Sequence, residues 1–169
     1  VAGAIYSGIG MVVTLIIPLR RALRIEHMIT PEYHLHNLAK LTLLTGSILF
    51  YAYGMEYFVA WYSGNTFEQT TFYRRAFGPY WWAGWTMITC NAFVSQLLWF
   101  RKIRTNLTAL FVISIFINIG MWFERYVIIT SLQNDYVPWA WGTISPTWAD
   151  WGILLGSFGW FGMWFLLFA

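Results

Sequence analysis

Three ionisable side chains, Glu56, Glu124 and Arg125, stand inside apolar stretches of the sequence. A charge in the middle of a membrane costs roughly 2.5 to 3.5 kcal/mol on insertion scales, so such residues usually serve a function. Glu124 and Arg125 are neighbours, and neighbouring side chains on a helix point about 100° apart, so they do not face each other. We therefore expect Arg125 to pair with a residue on another helix, and Glu56 is its natural partner. The pair has two compatible interpretations, a fixed ion pair between helices and a group that carries protons.

A fourth charged residue, Asp150, opens the last apolar stretch directly after Thr147 and Trp148. One interpretation is a helix N-terminal cap, because the backbone N–H groups and the helix dipole favour a carboxylate there. The other interpretation is a proton acceptor close to the membrane surface.

The histidines lie outside the apolar stretches. His27, His34 and His36 stand between the first two stretches, close to Lys40, which argues against axial ligands for haem b. The spacing of His34 and His36 is too common to indicate a metal site without a third ligand. Two interpretations stay open: solvated histidines, or a proton-collecting entrance formed by His34, His36 and Lys40, since imidazole titrates near neutral pH.

The elements that must position these residues are long apolar segments. A helix needs roughly 20 such residues to cross about 30 Å of hydrocarbon. Five segments qualify: residues 1–19 (span A), 38–62 (span B), 80–100 (span C), 107–130 (span D) and 150–169 (span E). They do not alternate apolar and polar residues as barrel strands do. The sequence therefore predicts an all-α membrane protein, a single domain over residues 1–169 with five transmembrane helices forming a bundle.

Basic residues predict how this bundle is oriented. Seven of them lie in the A–B and C–D connections or at the start of span B: Arg20, Arg21, Arg24, Lys40, Arg101, Lys102 and Arg104. By the positive-inside rule these connections face the cytoplasm. The two longer loops then face outward, and the second contains the aromatic segments 138–142 and 145–148. Their tryptophans fit either membrane anchoring or a docking surface.

Composition excludes several classes of protein. The chain of 169 residues is 59% hydrophobic and 10% charged, far from the roughly 25% charged content of soluble domains. The single cysteine, Cys90, excludes an internal disulfide, an iron–sulfur cluster held by this chain alone and a c-type haem attachment site. The basic residues form short clusters between spans, so we expect no nucleic-acid partner. Val1 and Ala169 both end apolar runs, so we expect the chain to belong to something larger.

Five strings of the sequence resemble the NrfD/PsrC-like membrane subunits of polysulphide reductases, and most of all those of alternative complex III. They are residues 1–8 (VAGAIYSG), 60–64 (AWYSG), 75–80 (RAFGPY), 121–129 (MWFERYVII) and 145–152 (SPTWADWG). The resemblance extends along essentially the whole chain. It implies the C-terminal half of a subunit with about ten transmembrane helices, in the bacterial cytoplasmic membrane.

The resemblance also implies cofactors and partners. Such subunits bind a quinone, such as menaquinone, near the outer face and hold no haem or metal themselves. An iron–sulfur subunit lies on the outer face, with c-type cytochrome subunits, a paralogous membrane subunit and membrane lipid as further partners. Proton translocation through the helical bundles has been proposed for this family. Where the family often has an acidic residue, this chain has His36, so proton entry there would use histidine.

Together these features predict a membrane subunit of a quinol:electron-acceptor oxidoreductase. A base near the outer face would accept a quinol proton while electrons leave to a partner's metal centre. The resemblance makes Glu56, Glu124, Arg125 and Asp150 candidates for proton transfer or the quinol site. Glu56 or Asp150 would accept the proton, Arg125 would set the acceptor's pKa, and Tyr126 or Trp148 would pack on the quinone ring. The alternatives are a non-catalytic membrane anchor for an extrinsic redox subunit, and an ion or solute transporter, in which buried charges are equally common.

Overall fold

The computed structural model describes residues 1–24, 26–27, 30–135 and 146–168, and all regular secondary structure among them is helical. This confirms the predicted all-α class. Eight α-helices follow one another: α1 (Ala2–Ala22), α2 (His36–Tyr62), α3 (Thr66–Phe77), α4 (Trp81–Ile88), α5 (Val94–Gln96), α6 (Arg101–Arg104), α7 (Leu107–Asp135) and α8 (Trp148–Phe168). Two π-helical turns, Pro31–Leu35 and Thr89–Phe93, and a 3-10 turn, Leu97–Trp99, complete them.

Three helical segments among the described residues are long and apolar enough to cross a membrane: Ala2–Ala22, Glu32–Tyr62 and Leu107–Ile129. They correspond to the predicted spans A, B and D. Spans C and E are helical but are not among these three, so a bundle of five transmembrane helices stays a prediction.

Span C is an interrupted helix. It starts as α4, widens into the π turn Thr89–Phe93, returns to α-helix in α5 and tightens into the 3-10 turn before Phe100 ends it with an extended backbone. The polar residues Asn91, Ser95 and Gln96 lie in this second half. These polar residues make the second half of span C less apolar. The Ser95 hydroxyl also donates hydrogen bonds to backbone carbonyls of the π turn.

Four segments pack around a common core. Helix α1 packs against α2 and α7, while α4 and the following π turn contact α7, and that turn also contacts α2. Small residues allow close approach, as is usual between membrane helices. A Cβ atom at Gly10 would lie 2.9 Å from Ile117 Cγ2, and one at Gly46 would lie 2.9 Å from Ser95 Oγ.

The two remaining long helices, α3 and α8, differ in how they pack. Helix α3 contacts both α2 and α4, and its first turn is capped by Asn65, whose Oδ1 accepts a hydrogen bond from the Phe67 N–H at 3.1 Å. Nearly every described side chain of α8 is exposed. The predicted aromatic segment 138–142 and Ser145 lie outside the described residues.

Candidate functional site

Three polar side chains from three different segments meet inside the bundle. The Tyr53 hydroxyl donates to Glu124 Oε2 at 2.6 Å, and Asn91 Nδ2 lies 3.3 Å from the same oxygen and 3.1 Å from the Tyr53 hydroxyl. We call Tyr53, Asn91 and Glu124 the Glu124 cluster. Its carboxylate is held by two neutral donors, which stabilise a negative charge without cancelling it.

The π turn positions Asn91. Asn91 lies within it and is fully buried, and single π turns inside α-helices occur often at functional sites. The Asn91 carbonyl accepts hydrogen bonds from the Tyr6 hydroxyl at 3.3 Å and from Ser95 Oγ at 2.9 Å. The Tyr6 and Ser95 side chains thus bind a backbone carbonyl of the irregular turn. The Asn91 Nδ2 atom is directed towards Glu124.

Gly120 makes room for this asparagine. A Cβ atom at Gly120 would lie 2.7 Å from the Cys90 Cβ and would overlap Asn91 Oδ1. Among the described residues this amide oxygen has no hydrogen-bond partner, although it is buried. The site therefore depends on the absence of a side chain at Gly120, one helical turn before Glu124.

A second polar group lies deeper between α1 and α7. Asn118 Nδ2 donates to Thr14 Oγ1 at 2.9 Å, and Thr14 Oγ1 lies 2.9 Å from Ser114 Oγ. Asn118 and Glu124 are six residues apart on α7, or about 9 Å along the helix axis. Polar side chains therefore continue from the Glu124 cluster towards the opposite end of the bundle.

The predicted pair between Glu56 and Arg125 is wrong. Glu56 Oε1 lies 3.3 Å from Arg75 Nη1, and the Glu56 side chain is half exposed. The Arg75 guanidinium also lies over the Phe72 ring, 4.9 Å from its centroid. Arg75 belongs to α3, a helix that the sequence analysis treated as part of a loop, while the Arg125 side chain is exposed. Glu56 therefore lies on the outside of the bundle.

Tyr126 lies in a group of aromatic rings. Its ring stacks on Trp122 with centroids 5.9 Å apart, and it also contacts Trp82 and Tyr80, each at 6.1 Å. Trp148, the other aromatic residue predicted to pack on a quinone, lies at the start of α8 and is 89% exposed. The structure does not bring these two residues together.

Asp150 caps the start of α8. Its Oδ2 accepts hydrogen bonds from both the backbone N–H and the hydroxyl of Thr147, each at 2.7 Å. The bond from the Thr147 backbone N–H is the acidic half of a capping box. Because both donors stabilise the charged carboxylate, they lower the pKa of Asp150 below its ordinary value. The helix-capping interpretation therefore accounts for its geometry.

His34, His36 and Lys40 lie around the start of α2. His34 Nδ1 is 3.3 Å from Thr30 Oγ1, and His36 is partly buried, with Lys40 exposed one turn further along. In the described part of the chain, no group of three His, Cys, Asp or Glu residues is arranged to hold a metal ion. The proton-entrance interpretation stays a prediction.

The sequence analysis missed Tyr53 and Asn91. Asn91 was detectable in principle, because an amide within a predicted membrane span has few partners other than polar side chains of neighbouring helices. Tyr53 gave no such signal, since ten tyrosines are scattered through the chain.

Comparison with known proteins identifies the family. No curated protein matches the chain. A family profile described as polysulphide reductase, NrfD, matches residues 1–136, which include the whole Glu124 cluster. The match covers well over half of the 169 residues. The chain therefore belongs to the NrfD family of membrane subunits, which work in quinone-interacting oxidoreductase complexes and typically partner with iron–sulfur subunits.

Proposed function

We propose that this chain is a membrane subunit of a quinol oxidoreductase of the alternative complex III type, and that Glu124 moves protons during quinol oxidation. The observation that carries the proposal is the hydrogen-bonded Glu124 carboxylate between three helical segments. A carboxylate within a helix apolar enough to cross a membrane costs free energy of insertion, so its presence usually indicates a function. Family membership supports the redox context.

Quinol oxidation requires a group that accepts protons. Quinol oxidation releases two protons and two electrons, and the quinone itself supplies the redox chemistry when bound. The chain's task is to accept and pass on protons while the electrons leave to an iron–sulfur subunit. In this proposal Glu124 is the proton acceptor, and the Tyr53 hydroxyl and Asn91 amide hold its Oε2 in one position.

The polar residues deeper in the bundle support a route for these protons. Thr14 and Ser114 present hydroxyl groups, which can both accept and donate a hydrogen bond. They lie between Glu124 and the end of the bundle where the basic residues Arg20 and Arg104 and also His36 lie. Proton translocation through the chain is part of the proposal, with His34, His36 and Lys40 as its entrance.

The proposed partners follow from the same assignment. The iron–sulfur subunit docks on the outer face, and c-type cytochrome subunits and a paralogous membrane subunit complete the complex. The quinone, menaquinone being one example, binds near the outer end, where the Tyr126 aromatic group offers flat apolar surface. This chain holds no haem or metal in the proposal. Glu56, Arg125, Asp150 and Trp148 then have surface or partner-facing roles.

The test compares the carboxylates of Glu124 and Glu56. Glu124→Gln in the assembled native complex should lower quinol oxidation per complex at least tenfold, because the amide cannot accept the proton. Glu56→Gln is the matched control, since it removes the same charge from the outside of the bundle, and its turnover should stay within twofold of wild type. Subunit content measured on both preparations separates catalysis from assembly.

Two results would contradict the proposal. Full turnover of an assembled Glu124→Gln complex indicates a membrane anchor without a chemical role. Solute flux in vesicles that persists without any quinol or electron acceptor indicates a transporter.

A further inference from the structure

Tyr6 of α1 combines complete burial with a polar tip. It is the largest of the fully buried side chains among the described residues, and its ring belongs to the hydrophobic cluster that also contains Ile9, Val13 and Met121. Burying a hydroxyl group costs free energy unless the group forms a hydrogen bond. Phenylalanine would fill the same space without that cost, so the reason for a tyrosine lies in the bond that its hydroxyl makes.

The Tyr6 hydroxyl reaches the π turn. It donates to the Asn91 carbonyl at 3.3 Å, and Ser95 Oγ donates to the same oxygen at 2.9 Å. Asn91 lies within the turn Thr89–Phe93 and is fully buried. Because a π turn departs from the regular hydrogen-bond pattern of an α-helix, donors from side chains help to fix its backbone. The Tyr6 hydroxyl and the Ser95 hydroxyl together hold the backbone of Asn91.

The same residue carries the amide that contacts Glu124. Asn91 Nδ2 lies 3.3 Å from Glu124 Oε2 and 3.1 Å from the Tyr53 hydroxyl. The asparagine side chain is short, so the position of its backbone decides whether Nδ2 reaches the carboxylate. The hydrogen bond of Tyr6 is thereby linked to the hydrogen bond of Glu124 through a single residue.

Helix α2 confines the Tyr6 ring. A Cβ atom at Gly46 would lie 3.1 Å from Tyr6 Cε2 and 2.9 Å from Ser95 Oγ. Tyr53, the other donor to Glu124, follows Gly46 on α2 by about two helical turns. One helix therefore confines Tyr6 and supplies the second donor. Packing of this kind holds the groups of a site in one geometry.

We propose that Tyr6 is a positioning residue of the Glu124 cluster. Its hydroxyl holds the Asn91 carbonyl, and thereby the π turn, in the place where Asn91 Nδ2 meets Glu124 Oε2. The inference rests on the proposed function for what this positioning serves, namely proton acceptance by Glu124. The competing explanation, in which Tyr6 only fills the core, makes no use of the hydroxyl.

The test removes the hydroxyl and keeps the ring. Tyr6→Phe is made in the native complex, and the infrared C=O stretch of protonated Glu124 is identified as the band that Glu124→Gln removes. A C=O group that loses a hydrogen bond absorbs at higher frequency, so Tyr6→Phe should shift this band upward. Quinol turnover per assembled complex should fall roughly tenfold, because small misplacements of reacting groups slow a reaction strongly.

Two further variants separate positioning from packing. Tyr57→Phe is the matched control, because the Tyr57 hydroxyl makes no hydrogen bond to a described residue. It should leave the band in place and turnover within twofold of wild type. Asn91→Ala removes the amide through which Tyr6 acts. Adding Tyr6→Phe to Asn91→Ala should therefore lower turnover no further, since the two changes break the same link.

An unshifted band in Tyr6→Phe would overturn the proposal, and so would losses of turnover that add up in the double variant. Either result leaves Tyr6 with a packing role alone. A shifted band in Tyr6→Phe together with full turnover of Glu124→Gln would contradict only the proton role of Glu124. If Tyr6→Phe does not assemble, Ser95→Ala removes the other donor to the Asn91 carbonyl, and an unshifted band there contradicts the proposal.

Discussion

Glu56 lies six residues before the end of α2 and Glu124 eleven residues before the end of α7, and their surroundings differ. Glu124 is held inside the bundle by a phenol and an amide, both neutral. Glu56 lies on the outside, half exposed and beside the cation Arg75. A cation compensates the charge of Glu56, whereas the two neutral donors at Glu124 stabilise a charge without cancelling it. The comparison teaches that the position of a carboxylate within an apolar helix does not reveal its partners, which depend on the face of the helix that it occupies.

The largest expected difference between the two regions concerns their glycines. Gly120→Ala places a methyl group against Cys90 and Asn91, so it should destabilise the complex by about 3 kcal/mol, the upper range for overpacking. Gly54→Ala, close to Glu56, meets no atom within 4 Å. It should change stability by no more than about 1 kcal/mol, in the stabilising direction that helix propensity favours. Thermal unfolding of both variant complexes measures the difference, and equal midpoints would contradict the packing described at Gly120.

A smaller effect is expected from the tyrosines. Tyr53→Phe removes the 2.6 Å hydrogen bond to Glu124 and should cost about 2 kcal/mol, as for bonds to charged groups. Tyr57, one turn further along α2, packs edge-on against Phe72 at 4.9 Å. Its hydroxyl makes no hydrogen bond to a described residue, so Tyr57→Phe should cost less than about 0.5 kcal/mol. Denaturation of the two complexes in parallel checks this, and an equal loss in both would show that the Tyr53 bond adds nothing.

The smallest effect is expected at the exposed ion pair. Arg75→Gln removes the contact with Glu56 and the cation–π contact with Phe72, each worth about 0.5 kcal/mol at an exposed site. The difference from wild type should shrink in 1 M salt, where charges are screened beyond about 3 Å. Unfolding midpoints at low and high salt provide the measurement. A salt-independent loss of several kcal/mol would mean that Glu56 is as deeply placed as Glu124.

The sequence predicted the long helices well because their apolar runs are uniform. The predicted boundaries of spans A and B lie within about a turn of those of α1 and α2, while span D begins with α7 and ends five residues before it. The match of the NrfD profile confirms the family resemblance. The alternative complex III assignment was predicted from the resemblance alone and stays a proposal.

The pairing of charges was not predictable from the sequence in the same way. Helical spacing says which residues share a face, but it does not say which face of a helix meets which neighbour. The partner of Glu56 is on α3, whose Asn65 cap and amphipathic pattern could have revealed a helix within the predicted loop. The π turn at Thr89–Phe93 has no simple sequence signature, so the direction of Asn91 could not be inferred.

That π turn has a consequence for the length of the chain. A five-residue turn within an α-helix amounts to one inserted residue. Deleting a residue such as Ala92 would restore regular helix and leave the two flanks close to their present rotation, because the wide turn takes up the extra residue. The deletion would remove the turn that holds the buried Asn91 beside Glu124. Insertions and deletions here should therefore be tolerated far less than substitutions, so the residue count between Gly84 and Phe100 is itself part of the site.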